Sequence, residues 1–349
     1  MDGLAHAAVA AAPPSIALEK IERAVYEQFG LRGDYTPLVS ERDQNFHLRT
    51  AGSDQYVVKV TSALEPGIVS EFQIAALLHL QQTGHKAPRV IKTLVGTCFG
   101  NIREGDCDCM LRLVSYLPGK QLSSVIIDRE MAYDFGTQLA RLDAGLRSFS
   151  HPGDQPVLLW DLQRALELRE LLVHIDDAQA RCSVAEALDD FEAVVFPRLG
   201  ELRTQVIHGD ANPGNILIDP ASRRTTGFID FGDMIQAPLV FDPAIAAAYL
   251  RGKDANPLEL ITPFLAGFSA ATPLQDIETV LLFDLIRARL ATTITLLFWR
   301  LGARHADDPY REKTLRDEAG AMRFLSTLNA LGRADFSRQV APGGGEQAR

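Results

Sequence analysis

Cysteine is scarce in this 349-residue chain: four in all, Cys98, Cys107, Cys109 and Cys182. The C-x-C of "EGDCDCM" is followed by no matching Cys/His pair, so Cys107 and Cys109 read as reduced thiols in a tight hairpin rather than as metal ligands. Four thiols suit a reducing compartment. Clusters of Lys and Arg are also lacking. With a formal net charge of -10 and a pI near 5.3, the chain has no basic face for a phosphate backbone, which argues against a nucleic-acid partner. The same balance suits a cationic small substrate. Uninterrupted hydrophobic runs are missing as well. The most apolar late stretch, Val280 to Trp299, carries Asp284, Arg287 and Arg289 at helical spacing, so it reads as a packed amphipathic helix and no membrane span is expected. Near the N-terminus, Asp2 stands where a secretory signal has basic residues, and Pro13-Pro14 interrupts the Ala-rich stretch. Residues 1–15 are therefore expected to form a mobile arm, and the protein is expected in the cytoplasm.

What is present is ample core material: 46% of residues are hydrophobic and 23% charged. At this length a single core usually stops growing, so two lobes with a cleft between them are expected. The front of the chain reads as a helix stopping at Gly30, a β-hairpin ("NFHLRT", "AGSD", "QYVVKV") and a helix from residue 67 to 84 with Ile68, Phe72, Ala76 and Leu80 on one stripe. Further strands follow in "RVIKTLVG" and "CMLRLVSYLPGK", the latter broken by Pro118-Gly119. Beyond Leu122 the pattern is mostly helical, over 128–147, 160–175, 183–197, 258–269, 274–302 and 310–331, with one strand-rich island around 206–234. The expected class is α+β, with a β-rich N-lobe over 16–118, a larger and mainly helical C-lobe over 119–340, and a disordered tail over 341–349.

The island holds the chemistry. "NILID" and "GFIDF", separated by "PASRRTT", are expected to pair, which brings Asn215 close to Asp230. An amide oxygen and a carboxylate from adjacent strand ends suit Mg²⁺, whose remaining positions water and nucleotide phosphates complete. Asp210, in the preceding loop, is placed to accept a proton from a substrate hydroxyl. D-x-x-x-x-N followed by D-F-G, preceded by a strand lysine (Lys59) and a helical glutamate (Glu71), is the order in which phosphoryl-transfer sites of the kinase type are built. Bland alternatives exist. Lys59 could solvate an edge strand, Glu71 could serve a helix dipole, and His208 with Asp210 could open a hydrolase metal site, although no second histidine pair supports it. An amine-bearing substrate needs carboxylates or an aromatic face, for which Asp233, Asp242, Trp160 and Asp161 are candidates. Core packing of Trp160 and helix capping by Asp242 are the competing explanations.

"HGDANPGNILID" with "IDFGD" resembles the aminoglycoside phosphotransferase and choline kinase superfamily, over about residues 30 to 330. Within it, "SERDQNFHL", "YVVKV", "YLPGK", "LLWDL", "GFIDFGDMIQAPLVFDPAIAAAYL" and "LAGFSAATPL" are similar to the hydroxylysine kinases. The resemblance implies a two-lobed protein-kinase-like fold and ATP or GTP as phosphoryl donor with Mg²⁺. It implies Asp210 as catalytic base, Asn215 and Asp230 as metal ligands, Lys59 paired with Glu71, and His208 bracing the catalytic loop. It further implies a purine-reading hinge at 114–119, including Ser115, Tyr116 and Leu117. Residues 40–45 hold the place of a glycine-rich loop but contain no glycine, so Ser40 or Asn45 is expected to take part there. The expected reaction is phosphorylation of a hydroxylated amino acid or amino alcohol, 5-hydroxylysine first. The alternatives are choline, ethanolamine, homoserine or an aminoglycoside as acceptor, or a nucleotide-binding pseudokinase that serves as an interaction module.

Overall fold

A computed structural model describes residues 13–40, 42–105, 107–252, 256–303 and 309–341; most of the expected arm and tail lies outside the described residues. Two compact units are present. One runs up to Pro118 and also takes in Phe149–Val157 and Gly227–Ile229; the other holds the remainder from Gly119 onward. The two inserted segments, which sequence reading left in the C-lobe, thus belong to the first unit.

In the first unit, helix α1 (Leu18–Phe29) buries Ile21, Val25 and Phe29, one residue per turn of a 3.6-residue helix. Gly30 ends it at φ 72°, where its N–H reaches the Tyr26 carbonyl. Strands β1 (Gly33–Leu38), β2 (Asp43–Thr50), β3 (Gln55–Thr61), β4 (Val90–Ile91), β5 (Gly100–Glu104) and β6 (Cys107–Ser115) form one antiparallel sheet in the order β1-β2-β3-β6-β4, with β5 also on β6. Val58, Val60, Leu111 and Leu113 face α1 from the central strands and are fully buried, each contributing roughly 2 kcal/mol of transfer free energy. Helix α2 (Gly67–Gln82) buries Phe72, Ala76 and Leu80, while Ile68, foreseen on the same stripe, is 45% exposed. Of "RVIKTLVG", only Val90 and Ile91 pair as a strand. Cys107 stands opposite Glu104 at the turn of the β5–β6 hairpin, and both its thiol and that of Cys109 are free.

The second unit is mainly helical. Helix α3 (Arg129–Leu146) starts at Asp128, whose carboxylate accepts from the Glu130 and Met131 amides at 3.0 Å. It packs on α6 (Ile261–Ala271) so closely that a Cβ at Gly136 would sit 2.0 Å from the Phe264 carbonyl oxygen. Residues Leu162–His174 form a 3-10 helix, tighter than the α-helix foreseen there. Helix α4 (Ala178–Asp190) continues through a π turn at Phe191–Val195. Helix α5 spans Phe241–Tyr249, α7 spans Asp276–Ala303 and α8 spans Pro309–Leu331; α9 (Arg333–Val340), not foreseen, follows Gly332. The charges inside α7 are buried and paired: Asp284 takes two bonds from Arg333, at 2.8 and 2.9 Å, which offsets the desolvation of its carboxylate. Among the described residues no helix is long and apolar enough to cross a membrane.

Two small sheets carry the island. Strand β8 (Thr204–Ile207) pairs antiparallel with β11 (Ile235–Pro238), and β9 (Ile216–Asp219) lies between β10 (Arg224–Phe228) and the short β7 (Lys120–Gln121). Strand β10 ends at Phe228, two residues short of Asp230, because Asp230 adopts a left-handed backbone (φ 60°, ψ 74°) that no strand accommodates.

Candidate active site

The loop after β8 is held from below by one carboxylate. Asp242, in the first turn of α5 and fully buried, accepts from the backbone amides of His208 and Gly209, both at 2.8 Å. Gly209 is required by this path: its φ is 76°, and a Cβ there would lie 2.2 Å from the Asp233 carbonyl oxygen. The buried His208 ring meets Phe231 edge-on, and its Nδ1 accepts from the Asp210 amide at 3.3 Å. Asp242 is therefore corrected. With both oxygens committed and no exposed surface it neither faces a substrate nor caps a helix; it fixes the turn that presents Asp210.

Asp210 is the hub of the loop. Its Oδ2 accepts from the side-chain amides of Asn212 (2.9 Å) and Asn215 (2.8 Å), and its Oδ1 accepts from Arg289 Nη2 at 3.1 Å. Asn212 is itself locked, because its Oδ1 accepts from the Gly214 amide at 2.8 Å. Burial pushes the Asp210 carboxyl up to about 7, and the charges of Asp233 and Asp230 add to this, while Arg289 and Asn212 oppose it. Such a group changes protonation near neutral pH, which is where a general base is most effective. Sequence reasoning gave Asn212 no role and overlooked Arg289. The buried arginine has no local motif, and its only signal is a charge, one of three with Asp284 and Arg287, inside a mostly apolar helix.

Asn215 spends its amide hydrogens on Asp210, also reaching the Asp210 carbonyl at 3.0 Å, so the side-chain oxygen is the atom it offers elsewhere. Asp230 lies within electrostatic reach of Asp210, on a strained backbone of the kind that persists where the surroundings over-determine it. Two protein oxygens, with the rest left to water and phosphate, fit a magnesium-type ion. Among the described residues no three His, Cys, Asp or Glu side chains gather into a cage for another kind of metal.

Beneath Asp242 lies a second buried acid. Asp143 of α3 has no exposed surface, and its oxygens find no hydrogen-bond partner among the described residues. Burial and the Asp242 charge push its carboxyl well above the usual range, which favours the protonated form. Its contribution to stability is complete below the ordinary carboxylate pKa and is lost as pH rises through its raised folded value. Asp143→Asn is uncharged at every pH and can donate to Asp242. Thermal unfolding above pH 8 is expected to show this variant more stable than wild type by on the order of 1 kcal/mol, with the advantage shrinking toward pH 4. An unchanged stability–pH slope would contradict the assignment.

A narrow pocket in the same unit is lined by Trp160, Asp161, Gly209 and Asp233, among others. Asp161 caps the 3-10 helix through the Gln163 amide at 2.9 Å, and burial raises its carboxyl above the usual range. Trp160 has the Arg289 and Arg300 guanidiniums over its ring, 5.0 and 5.2 Å from the centroid. Two guanidiniums of the chain thus already lie over the ring that a substrate ammonium would use.

In the first unit, Lys59 stands opposite Asn45 in the β2–β3 register and pairs with Asp43 at 3.2 Å. Glu71 is exposed on α2, and among the described residues no ion pair joins it to Lys59. The expected Lys59–Glu71 pair is thus replaced by a strand-borne one. Burial works against the Asp43 charge, but Lys59 and Arg112 outweigh it and hold the carboxyl below its usual range. The tether from α2 is Gln73, which accepts from Arg112 Nη1 at 2.7 Å. The Asn45 side-chain oxygen is buried without a hydrogen-bond partner among the described residues, while Ser40 Oγ accepts from the Asp43 amide at 3.3 Å. In the segment 114–119, expected to read the purine, the Ser115 and Tyr116 amides already serve the Arg89 and Gln55 carbonyls, and Pro118 has no amide hydrogen. The Leu117 amide has no backbone partner among the described residues. Tyr116 stacks on His47, with ring centroids 4.1 Å apart.

These features define a class: an antiparallel sheet carrying a paired lysine, and a mainly helical unit presenting an aspartate and an asparagine on a braced loop, as in the protein-kinase-like phosphotransferases. Residues 34–275 match the phosphotransferase enzyme family, and the chain belongs to that family. Among curated relatives, hydroxylysine kinase of Danio rerio is 26% identical, over 93% of this chain and 95% of its own length. That of Bos taurus is 28% identical, over 81% and 82%. Among solved structures, an amicoumacin kinase in complex with AMP-PNP, Ca²⁺ and Ami superposes with a TM-score of 0.69 at 14% identity, covering 90% of this chain and 94% of that one. A microcompartment-associated aminopropanol kinase does so at 0.68 and 16%, covering 89% and 98%. At such identities the solved structures establish the protein-kinase-like fold.

Proposed function

We propose that this small-molecule kinase transfers the γ-phosphoryl group of ATP or GTP to the hydroxyl of a hydroxylated amino acid or amino alcohol, 5-hydroxylysine first. The observation that carries the reading is the Asp210 carboxylate, immobilised between Asn212 and Asn215 at the end of β8. The likeness to hydroxylysine kinases along nearly the whole chain supports the acceptor. The acceptor oxygen forms a bond to the γ-phosphorus, the bond from that phosphorus to the bridging oxygen breaks, the hydroxyl proton passes to Asp210, and ADP or GDP leaves. Asn215 and Asp230 would hold Mg²⁺, which neutralises phosphate charge when bound. Lys59, kept in place by Asp43, faces the phosphates, and Asn45 beside it serves the same part of the nucleotide. The Leu117 amide reads the purine, and Asp233 and Asp161 hold the substrate ammonium.

The test is an acceptor screen with Mg²⁺ and each nucleotide, covering 5-hydroxylysine, homoserine, ethanolamine, choline and an aminoglycoside. The expected result is phosphorylation of 5-hydroxylysine at the highest kcat/KM. Stronger turnover of another acceptor would replace the substrate, and nucleotide binding with no transfer to any acceptor would leave an interaction module.

A further inference from the structure

Asp143 is held in α3 where its backbone has little freedom: Gln205 Nε2 of β8 donates to the Asp143 carbonyl at 2.7 Å, and Thr272 Oγ1 donates to the nearby Ala140 carbonyl at 3.2 Å. Its side chain stands within hydrogen-bond reach of Asp242. No N–H or O–H donor of the described residues points at either Asp143 oxygen, although the residue has no exposed surface. An ionised carboxylate only accepts, so two of them in contact have no bond to share. One proton gives them a hydrogen bond. Asp242 is the acceptor in it, since the His208 and Gly209 amides already point at its two oxygens and none points at Asp143. The proton therefore sits on Asp143, at the inner end of a chain of hydrogen bonds that runs through Asp242 and two backbone amides to the turn before Asp210.

The surroundings hold no counter-charge for an ionised Asp143. Helix α6 and strand β8, both packed against α3, carry no titratable side chain. Helix α5 carries Asp242 and Tyr249, and the Tyr249 hydroxyl accepts from Arg289. In the loop after β8, His208 turns its Nδ1 to the Asp210 amide. Arg141 and Arg147, the basic residues nearest to Asp143 along α3, are exposed. Burial and the Asp242 charge both favour the neutral acid.

We propose that Asp143 is a positioning residue for phosphoryl transfer, which donates its carboxylic proton in a hydrogen bond to Asp242 and so holds the turn that presents Asp210. The inference rests on the small-molecule kinase reading above and deepens it. Fully buried, Asp143 meets no substrate and acts through Asp242 alone. Because the group is an acid whose neutral form does the work, its effect is complete at low pH and is lost as pH rises through its raised folded value. Loss of the proton leaves two like charges in contact, which loosens Asp242 from the amides it holds and takes the aim from Asp210.

The test compares Asp143→Asn and Asp143→Leu with wild type in the full-length protein, using Mg²⁺, nucleotide and the acceptor that the screen above selects. Asparagine donates to Asp242 at every pH, whereas leucine has a similar size and donates nothing. At neutral pH, Asp143→Asn is expected to keep at least about half of the wild-type kcat and Asp143→Leu to lose about 10-fold, the scale of one hydrogen bond, with the nucleotide KM unchanged in both. The kcat ratio of Asp143→Asn to wild type is expected to climb about 10-fold toward alkaline pH, because wild type alone has a proton to lose here. Every other titrating group is shared, so the ratio isolates Asp143. Thermal melts show which variants fold, and if Asp143→Leu does not, the ratio decides by itself. A ratio independent of pH, an Asp143→Asn as slow as Asp143→Leu, or wild-type kcat in folded Asp143→Leu would overturn the inference and leave the kinase reading in place. Failure of wild type to phosphorylate any acceptor would instead remove that reading, and this inference with it.

Discussion

Asp210→Ala is expected to lower the rate of phosphoryl transfer by about 10³-fold, within the range spanned by general bases, while nucleotide binding is expected to survive, because Lys59 and the Leu117 amide, the groups proposed to hold the nucleotide, belong to other parts of the chain. The same substitution also weakens the fold. Arg289, 1% exposed, loses the carboxylate 3.1 Å away and is left buried without its counter-charge, for which a loss of about 3 kcal/mol is expected. The double variant Asp210→Ala/Arg289→Met separates the two effects. Calorimetry is expected to show most of the stability restored, because replacing both members of a buried pair with apolar groups is close to neutral. Single-turnover kinetics are expected to show no recovery of transfer. Recovery of both together would mean that Asp210 acts only through the packing of Arg289.

Asp242→Ala is expected to have the largest effect on stability, about 4 kcal/mol by chemical denaturation. It strips the acceptor from two buried backbone amides, His208 and Gly209, each of which costs roughly 1–3 kcal/mol when left unsatisfied. Activity is expected to fall in the folded fraction too, since the turn that aims Asp210 is no longer fixed. Asp242→Asn keeps an acceptor for one amide and is expected to lie between wild type and Ala. Full activity in folded Asp242→Ala would contradict its role beneath the loop.

Much of this site was legible in the sequence because its pieces are local. Asp210 and Asn215 sit in one turn between short apolar runs, and the β2–β3 hairpin that carries Lys59 follows from alternation and a four-residue turn. What was illegible is what arrives from a distance. Arg289 reaches Asp210 from 79 residues away and Asp242 reaches His208 from 34, and nothing in either neighbourhood marks them as partners. The partner of Lys59 was misread for a related reason. Spacing favours a helical glutamate, but Asp43 lies two residues before the residue opposite Lys59, within diagonal reach across the strand pair. The 3-10 geometry of 162–174 also escaped, since its apolar spacing differs little from that of an α-helix over so short a run.

Phosphorus NMR of the wild-type protein with Mg²⁺, ATP or GTP and 5-hydroxylysine tests the central claim most directly. The expected spectrum shows a phosphate monoester growing as the γ-phosphate resonance disappears in equal amount, and no monoester with Asp210→Ala. Release of inorganic phosphate alone, or undiminished monoester formation by Asp210→Ala, would contradict transfer to an acceptor hydroxyl through this loop.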